Sequence, residues 1–117
     1  MSAARVEKPW GHELIWAHTD RYVGKILHIR AGEALSLQYH RHKDETVMVL
    51  RGRMRFEHFV EGAPPATTEL EPMQPFRIPP GLRHRMTAID DTDVLEVSSP
   101  ELDDVVRLDD RYGRSGS

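Results

Sequence analysis

Two polar clusters in the sequence carry side chains that commonly bind divalent metal ions. The first cluster contains Gln38, His40, His42 and Glu45, and the second contains His84. Neutral imidazole suits zinc, iron, nickel and cobalt, and a carboxylate oxygen extends the choice to manganese. We therefore predict a site for one divalent ion with ligands drawn from these five residues. The sequence does not distinguish among the five metals.

The residues before Glu45 alternate in polarity with the period of a β-strand. Ser36, Gln38, His40 and His42 would share one face of a strand from Leu35 to His42, opposite Leu35, Leu37 and Tyr39. Histidine and glutamine are costly to bury unless each finds a partner, which favours a ligand set over a solvated edge. Glu45 would begin the next strand, and the rigid turn at 79–81 would bring His84 to the same place.

Frequent glycine and proline residues divide the chain into short segments, a pattern typical of an all-β sandwich or barrel. Gly52 would form a tight link between two strands, and a hairpin would end near 62–66. Apolar and alternating runs predict strands at 24–30, 46–50, 53–59, 76–78 and 94–97.

The composition limits the classes of function. The 117 residues suffice for one domain, expected at 1–112 with a disordered tail at 113–117. A net charge of −3 gives no basic excess for nucleic acid and no reason to expect a membrane partner. Cysteine is absent, which excludes thiolate sites and disulfides. Without a leader or a long apolar run, the chain is expected to be soluble and cytoplasmic.

Four isolated histidines are expected to be structural or on the surface: His12, His18, His28 and His58.

The spacing of the metal-binding residue types resembles the two motifs of the cupin family. The first motif, a glycine, a His-x-His pair, a glutamate and a glycine, is matched by Gly32, 38–40, Glu45 and Gly52, with Gln38 in place of the first histidine. The second motif, Pro-x-Gly-x-x-His, is matched at 79–84, while Met73 replaces its leading glycine. This resemblance implies a small single-domain cupin, a double-stranded β-helix or jelly-roll barrel.

The cupin motif leaves two sets of ligands open. Gln38, His40, Glu45 and His84 keep both spacings of the first motif, whereas a His40–His42 pair leaves only two residues before Glu45. In the first set, which we prefer, His42 lies at the mouth of the pocket beside the metal.

A narrower resemblance covers residues 7–114 and concerns the isomerase domain of type II mannose-6-phosphate isomerases. It rests on Leu-Ser-Leu-Gln-x-His-x-His at 35–42, on Lys-Pro-Trp-Gly at 8–11 and on the segment at 103–114. It implies a metal-dependent interconversion of mannose 6-phosphate and fructose 6-phosphate through a metal-stabilised enediolate. His42 would then be the base, and the substrate phosphate would be bound by three cations: Lys43, Arg85 and Arg107.

The sequence departs from the isomerase pattern after the histidines. Arg-x-Glu-His-Trp becomes Lys-Asp-Glu-Thr-Val at 43–47, and a lysine cannot replace a bidentate arginine clamp. Two other functions therefore stay open: a non-catalytic sugar-binding or sensor cupin, and a metal-dependent cupin dioxygenase. A dioxygenase would have an apolar pocket without a cationic cluster. Because cupins often pair through open edge strands, we also expect a homodimer.

Overall fold

Residues 3–114 are described by a computed structural model, in which they form two antiparallel sheets that face each other. One sheet has the strand order β1-β2-β3-β10-β5-β8 and the other β11-β4-β9-β6-β7. The strands are β1 Ala4–Lys8, β2 Gly11–His18, β3 Val23–Ile29, β4 Leu37–Tyr39, β5 Glu45–Arg51, β6 Met54–Phe59, β7 Ala66–Leu70, β8 Pro75–Ile78, β9 Arg83–Ala88, β10 Thr92–Ser98 and β11 Val106–Asp109. These strands confirm the predicted all-β class. Among the described residues there is no helix long and apolar enough to cross a membrane.

From β3 onward the chain passes repeatedly between the two sheets, as in a jelly roll. The inward side chains of the two sheets form one apolar core, because successive residues of a strand point to opposite faces. The core contains Trp10, Leu27, Val47, Phe56 and Met86, each no more than 2% exposed. This core packs against the polar ligand residues, since the Phe56 ring is stacked on His84 with centroids 5.9 Å apart.

The strand and turn predictions were largely confirmed. The predicted strands at 24–30, 46–50, 53–59, 76–78 and 94–97 correspond to β3, β5, β6, β8 and β10. β6 and β7 form the hairpin predicted near 62–66. Gly52 has a φ of +93° in the link between β5 and β6, and a Cβ there would lie 2.3 Å from the carbonyl oxygen of Asp91. That position therefore requires glycine.

The strand predicted from Leu35 to His42 is shorter in the structure, where only Leu37–Tyr39 form β4. The backbone leaves the ladder because the amides of residues 41–43 donate to the carboxylate of Asp104 instead. Leu35 is 8% exposed and packs in the core rather than with the outward Leu37. Ser36 and His40 are buried, so the polar face of this segment does point into the barrel.

The end of the chain packs onto the barrel as far as the structure describes it. Tyr112 accepts a hydrogen bond from the amide of Ala34, and its hydroxyl donates to Glu33. Arg114 forms a bidentate ion pair with Asp110. Of the tail expected at 113–117, residues 115–117 lie outside the described residues, so the domain boundary stays a prediction.

Candidate metal centre

His40, Glu45 and His84 converge inside the barrel from three different segments. The Nε2 atoms of His40 and His84 lie 3.5 and 3.8 Å from Oε1 of Glu45, and one ligand atom from each residue lies within 4.8 Å of the others. The three residues are between 1% and 3% exposed. Two imidazoles and a carboxylate at these separations form a compact set of ligands for a divalent ion.

The hydrogen bonds of the two imidazoles fix which nitrogen faces the carboxylate. Nδ1 of His40 lies 2.5 Å from the carbonyl oxygen of Asp104, and Nδ1 of His84 lies 2.8 Å from that of Leu82. Since a carbonyl oxygen only accepts, each Nδ1 carries the hydrogen. Burial also lowers the pKa of His84 and favours its neutral form. Each Nε2 therefore directs a lone pair towards Glu45.

The buried Nε2 atoms of His40 and His84 have no hydrogen-bond partner among the described residues. Burying unpaired polar atoms is costly, and lone pairs that converge on a carboxylate repel one another unless a cation lies between them. A carbonyl oxygen that accepts a hydrogen bond from Nδ1 is also a common way in which proteins orient a metal-binding histidine. The residues present therefore fit a divalent metal ion.

Lys43 places a buried positive charge beside this group. Its Nζ lies 2.9 Å from Oε2 of Glu45 and 3.1 Å from Oε2 of Glu96. Burial alone would raise the pKa of Glu45, but the Lys43 ammonium beside it lowers that pKa. Burial opposes the charge on Lys43 as well, yet Glu96 and Glu45 raise its pKa. Glu45 is thus ionised and available as a ligand.

Asp104 and Gly81 hold the segment that carries His40. The carboxylate of Asp104 accepts hydrogen bonds from the amides of Arg41, His42 and Lys43 at 3.0, 2.7 and 2.9 Å. The amide of Gly81 donates to the carbonyl oxygen of His40 at 2.7 Å. The same segment is therefore held by the turn before His84 and by the loop between β10 and β11.

A cavity of about 200 Å³ opens beside the ligands, between the two sheets. It is smaller than the roughly 300–1,000 Å³ of common small-molecule pockets, so its contents are limited to a small ligand. Half of its 20 lining residues are charged, namely Lys8, Glu13, Lys25, Lys43, Glu45, Glu96, Asp103, Asp104, Arg107 and Arg114, and eight others are apolar. Such walls fit a ligand that carries polar or charged groups.

The predicted site residues fall into two groups. His40, Glu45 and His84 come together, and Gln38 lines the cavity next to them, in register with His84. The Oε1 atom of Gln38 accepts a hydrogen bond of 2.6 Å from Ser36, and its role as fourth ligand stays a prediction. The side chain of His42 is exposed and does not line the cavity.

Of the cations predicted to bind phosphate, Lys43 and Arg107 line the cavity and Arg85 does not. Lys43 is already held by two carboxylates. Arg85 is bound to the backbone and side chain of Asp109. Arg107 is half-buried, forms no ion pair within residues 3–114, and its buried Nε has no hydrogen-bond partner there. Arg107 is therefore the one of the three that is free to meet an anion.

Several residues of the site were not predicted from the sequence. Glu96 and Lys25 are 4% and 6% exposed and face the cavity from adjacent strands, where they are directly opposite each other. Glu13 extends this wall through a contact of 3.3 Å with Lys25. The sequence does contain a signal for two of them, since Lys25 and Glu96 each place a charge on the inward face of a strand, next to apolar residues.

Comparisons with known proteins identify the family of the chain. The family model described as "Mannose-6-phosphate isomerase C-terminal" matches residues 2–110. The mannose-1-phosphate guanylyltransferase ManC of Salmonella typhimurium is 34% identical over 114 residues, covering 93% of this chain and 23% of that protein. A mannose-1-phosphate guanylyltransferase of Escherichia coli matches with the same identity and coverage. The chain thus spans about a quarter of the length of these relatives.

Solved structures with low sequence identity share the fold. KdgF from Halomonas sp. has a TM-score of 0.70 at 22% identity, covering 83% of this chain and 87% of that one. CapF from Staphylococcus aureus has a TM-score of 0.71 at 17% identity, covering 98% and 33%. Oxalate decarboxylase from Bacillus subtilis has a TM-score of 0.76 at 14% identity, covering 91% and 30%. Together with the ligand geometry, these matches show that the chain is a cupin that belongs to the mannose-6-phosphate isomerase C-terminal family.

Proposed function

We propose that this cupin is a metal-dependent isomerase that acts on a small phosphorylated sugar, of the mannose 6-phosphate/fructose 6-phosphate type. The observation that carries the proposal is the pair of buried, unpaired Nε2 atoms of His40 and His84 beside Glu45, at the end of a cavity with ionic walls. Gln38 is proposed as the fourth ligand. A divalent ion bound there would polarise a substrate carbonyl and favour the negative charge that develops on it.

The metal is proposed to be zinc, manganese, iron, nickel or cobalt. The mixed nitrogen and oxygen ligands suit all five. Bacillus subtilis oxalate decarboxylase, which shares the fold, has Mn(II) centres, and this favours manganese as the first ion to test.

The polar wall of the cavity supports a sugar as the ligand. Glu96, Lys25 and Glu13 present carboxylate oxygens and an ammonium group along one side of the space. Hydroxyl groups both donate and accept hydrogen bonds, so a polyhydroxylated chain can satisfy this alternation. Arg107 faces the same cavity with a free guanidinium, which suits a phosphate group.

Two groups are candidates for the proton transfer that isomerisation requires. His42 stays our predicted base, although its side chain is exposed in this structure. Glu96 lines the cavity, and burial together with the nearby Glu45 charge raises its pKa against the attraction of Lys43. A raised pKa makes a carboxyl group a better proton acceptor, which is what a general base requires. Turnover retained in His42→Ala and lost in Glu96→Gln would assign the transfer to Glu96.

The exposed position of His42 favours a second candidate function, a sugar-binding or sensor cupin without catalysis. The ionic cavity wall speaks against the dioxygenase alternative, for which an apolar pocket was expected. A cytoplasmic location remains part of the proposal.

The proposal is tested by the conversion of mannose 6-phosphate to fructose 6-phosphate with metal-loaded protein. Arg107→Met should raise KM for the sugar phosphate by roughly 10- to 100-fold, the effect of losing a charge-assisted contact. Arg85→Met is the matched control, because Arg85 is bound to Asp109 outside the cavity lining, and its KM should not change. Saturable binding of the sugar phosphate without turnover would support the sensor function instead. Absence of both would reject the two sugar functions.

A further inference from the structure

Lys43 is a buried cation that lies against one of the proposed metal ligands. Its side chain is 6% exposed, and its Nζ lies 2.9 Å from Oε2 of Glu45. The other oxygen of that carboxylate, Oε1, lies 3.5 Å from Nε2 of His40 and 3.8 Å from Nε2 of His84. The two oxygens of Glu45 therefore face different partners, the ammonium on one side and the imidazoles on the other.

Lys43 is held at both its backbone and its ammonium, so the charge stays beside Glu45. The backbone amide donates to the carboxylate of Asp104 at 2.9 Å, and Nζ donates to Oε2 of Glu96 at 3.1 Å. Glu96 lies on β10 and Glu45 on the adjacent strand β5, so the ammonium bridges two strands. A buried ammonium requires such anionic partners, because burial disfavours its charge.

An ion bound by Glu45 would also lie close to the Lys43 ammonium. The ligand atoms of His40, Glu45 and His84 all lie within 4.8 Å of one another, and Nζ lies 2.9 Å from the same carboxylate. Two positive charges at such short range repel each other strongly where burial excludes water, because the effective dielectric constant is low. Lys43 and the metal therefore compete for the charge of one carboxylate, and each weakens the binding of the other.

The direction of this effect distinguishes it from a role in stability alone. Removal of the ammonium leaves Glu45 and Glu96 without their buried cation, which destabilises the fold. If Lys43 only held the fold together, its loss would loosen the site and weaken metal binding. If Lys43 also competes with the metal, its loss increases the metal affinity, because the bound ion then compensates for the missing charge.

We propose that Lys43 is a positioning residue of the metal centre, which holds Oε2 of Glu45, leaves Oε1 as the ligand oxygen and lowers the affinity for the ion. A carboxylate that binds through one oxygen leaves a position on the ion open for a substrate. An ion whose charge is less fully neutralised is also a stronger Lewis acid towards a substrate oxygen. This inference rests on the metal site of the proposed function but not on isomerase turnover.

Titration of Mn(II) and Zn(II) into metal-free protein, in competition with a chelator, measures the effect. Lys43→Met should bind both ions at least roughly tenfold more tightly than the native chain, although it is less stable without metal. Lys43→Arg keeps the charge and should bind them within about threefold of the native chain. Lys25→Met is the matched control, because Lys25 is as buried as Lys43 but pairs with Glu13, and its metal affinity should change by less than about threefold.

A second neutral variant keeps the test decisive if Lys43→Met does not fold without metal. Lys43→Gln removes the charge but keeps a hydrogen-bond donor for the two carboxylates, and its metal affinity should rise in the same way. Weaker or unchanged metal binding in the neutral variants that fold, or a native chain that binds neither ion, would overturn the proposal. Tighter binding by these variants, in a protein without isomerase turnover, would support the role of Lys43 while rejecting the isomerase function.

Discussion

Asp104 should contribute to metal binding although its side chain is not one of the proposed ligands. In Asp104→Ala the amides of Arg41, His42 and Lys43 lose their acceptor, and the chain before Glu45 loses its anchor. Water can replace the carboxylate at the two exposed amides but less well at Lys43, which is buried. Loss of a comparable cap costs about 1–2 kcal/mol of unfolding free energy.

The metal affinity of Asp104→Ala should fall by more than its loss of unfolding free energy alone would suggest. The carbonyl oxygen of Asp104 fixes the ring of His40 through Nδ1, and a loosened segment would no longer hold that ring in one orientation. Loss of such an orienting contact typically weakens metal binding about 10- to 100-fold.

The stability contribution of Asp104 should also depend on pH. Partial burial would raise the pKa of Asp104, but the hydrogen bonds from the amides of 41–43 lower it from its ordinary 3.8 to about 2. A carboxyl with a depressed folded-state pKa stabilises the fold above its unfolded pKa. The difference in stability between the native chain and Asp104→Ala should therefore be constant above about pH 5 and shrink as the pH falls towards 2.

Urea unfolding at neutral and acidic pH, together with metal titration, measures these effects. Asp20→Ala is the matched control, because Asp20 is exposed, lies outside the cavity lining, and its side chain forms no hydrogen bond within residues 3–114. Equal metal affinities of Asp104→Ala and the native chain would refute the argument that Asp104 orients His40. A stability difference that is unchanged at pH 2 would refute the charge-assisted role of its carboxylate.

Three further predictions concern single residues. Met73 has a φ of +72°, a left-handed backbone conformation that favours glycine. Met73→Gly should therefore be about 1 kcal/mol more stable than Met73→Ala by urea unfolding. The reverse order would contradict a left-handed backbone at this position. Gly52→Ala should lower the free energy of unfolding by about 2–3 kcal/mol, because its Cβ would clash with the Asp91 carbonyl oxygen. A melting temperature unchanged from that of the native chain would argue against this contact. Lys43→Met should cost about 3–5 kcal/mol, since it leaves two buried carboxylates facing each other, whereas Lys8→Met should cost little.

The approach of His40 to Glu45 could be predicted from the sequence because it follows from local spacing. Gln38 and His40 share one face of a segment with a period of two, and Glu45 begins the next strand after a short turn. The glycine at 81, with a φ of +85°, makes the turn that brings His84 to them. Each of these relations is local, whereas the approach of His84 joins residues roughly 40 positions apart and was expected from the resemblance to the two cupin motifs.

The supporting contacts could not be predicted, since they join distant parts of the chain. Asp104 reaches residues that precede it by more than 60 positions, and nothing in its own neighbourhood indicates that contact. Arg85 forms an ion pair with Asp109, whereas Arg107 forms none within residues 3–114. This difference also depends on which acidic side chains lie nearby in the folded chain. His42 was predicted to face the pocket from its alternation alone, but the backbone bends at 41–42 and its side chain is exposed.

The metal content of the chain tests the central claim most directly. Elemental analysis of protein purified without added metal or chelator should find one divalent ion per chain, and His84→Ala should bind that ion more than about 100-fold more weakly, beyond the loss of an orienting contact. His18→Ala, which changes an exposed histidine, should keep the full metal content. If the native chain holds no ion even after reconstitution with zinc, manganese, iron, nickel or cobalt, then His40, Glu45 and His84 do not form a metal centre and the account is wrong.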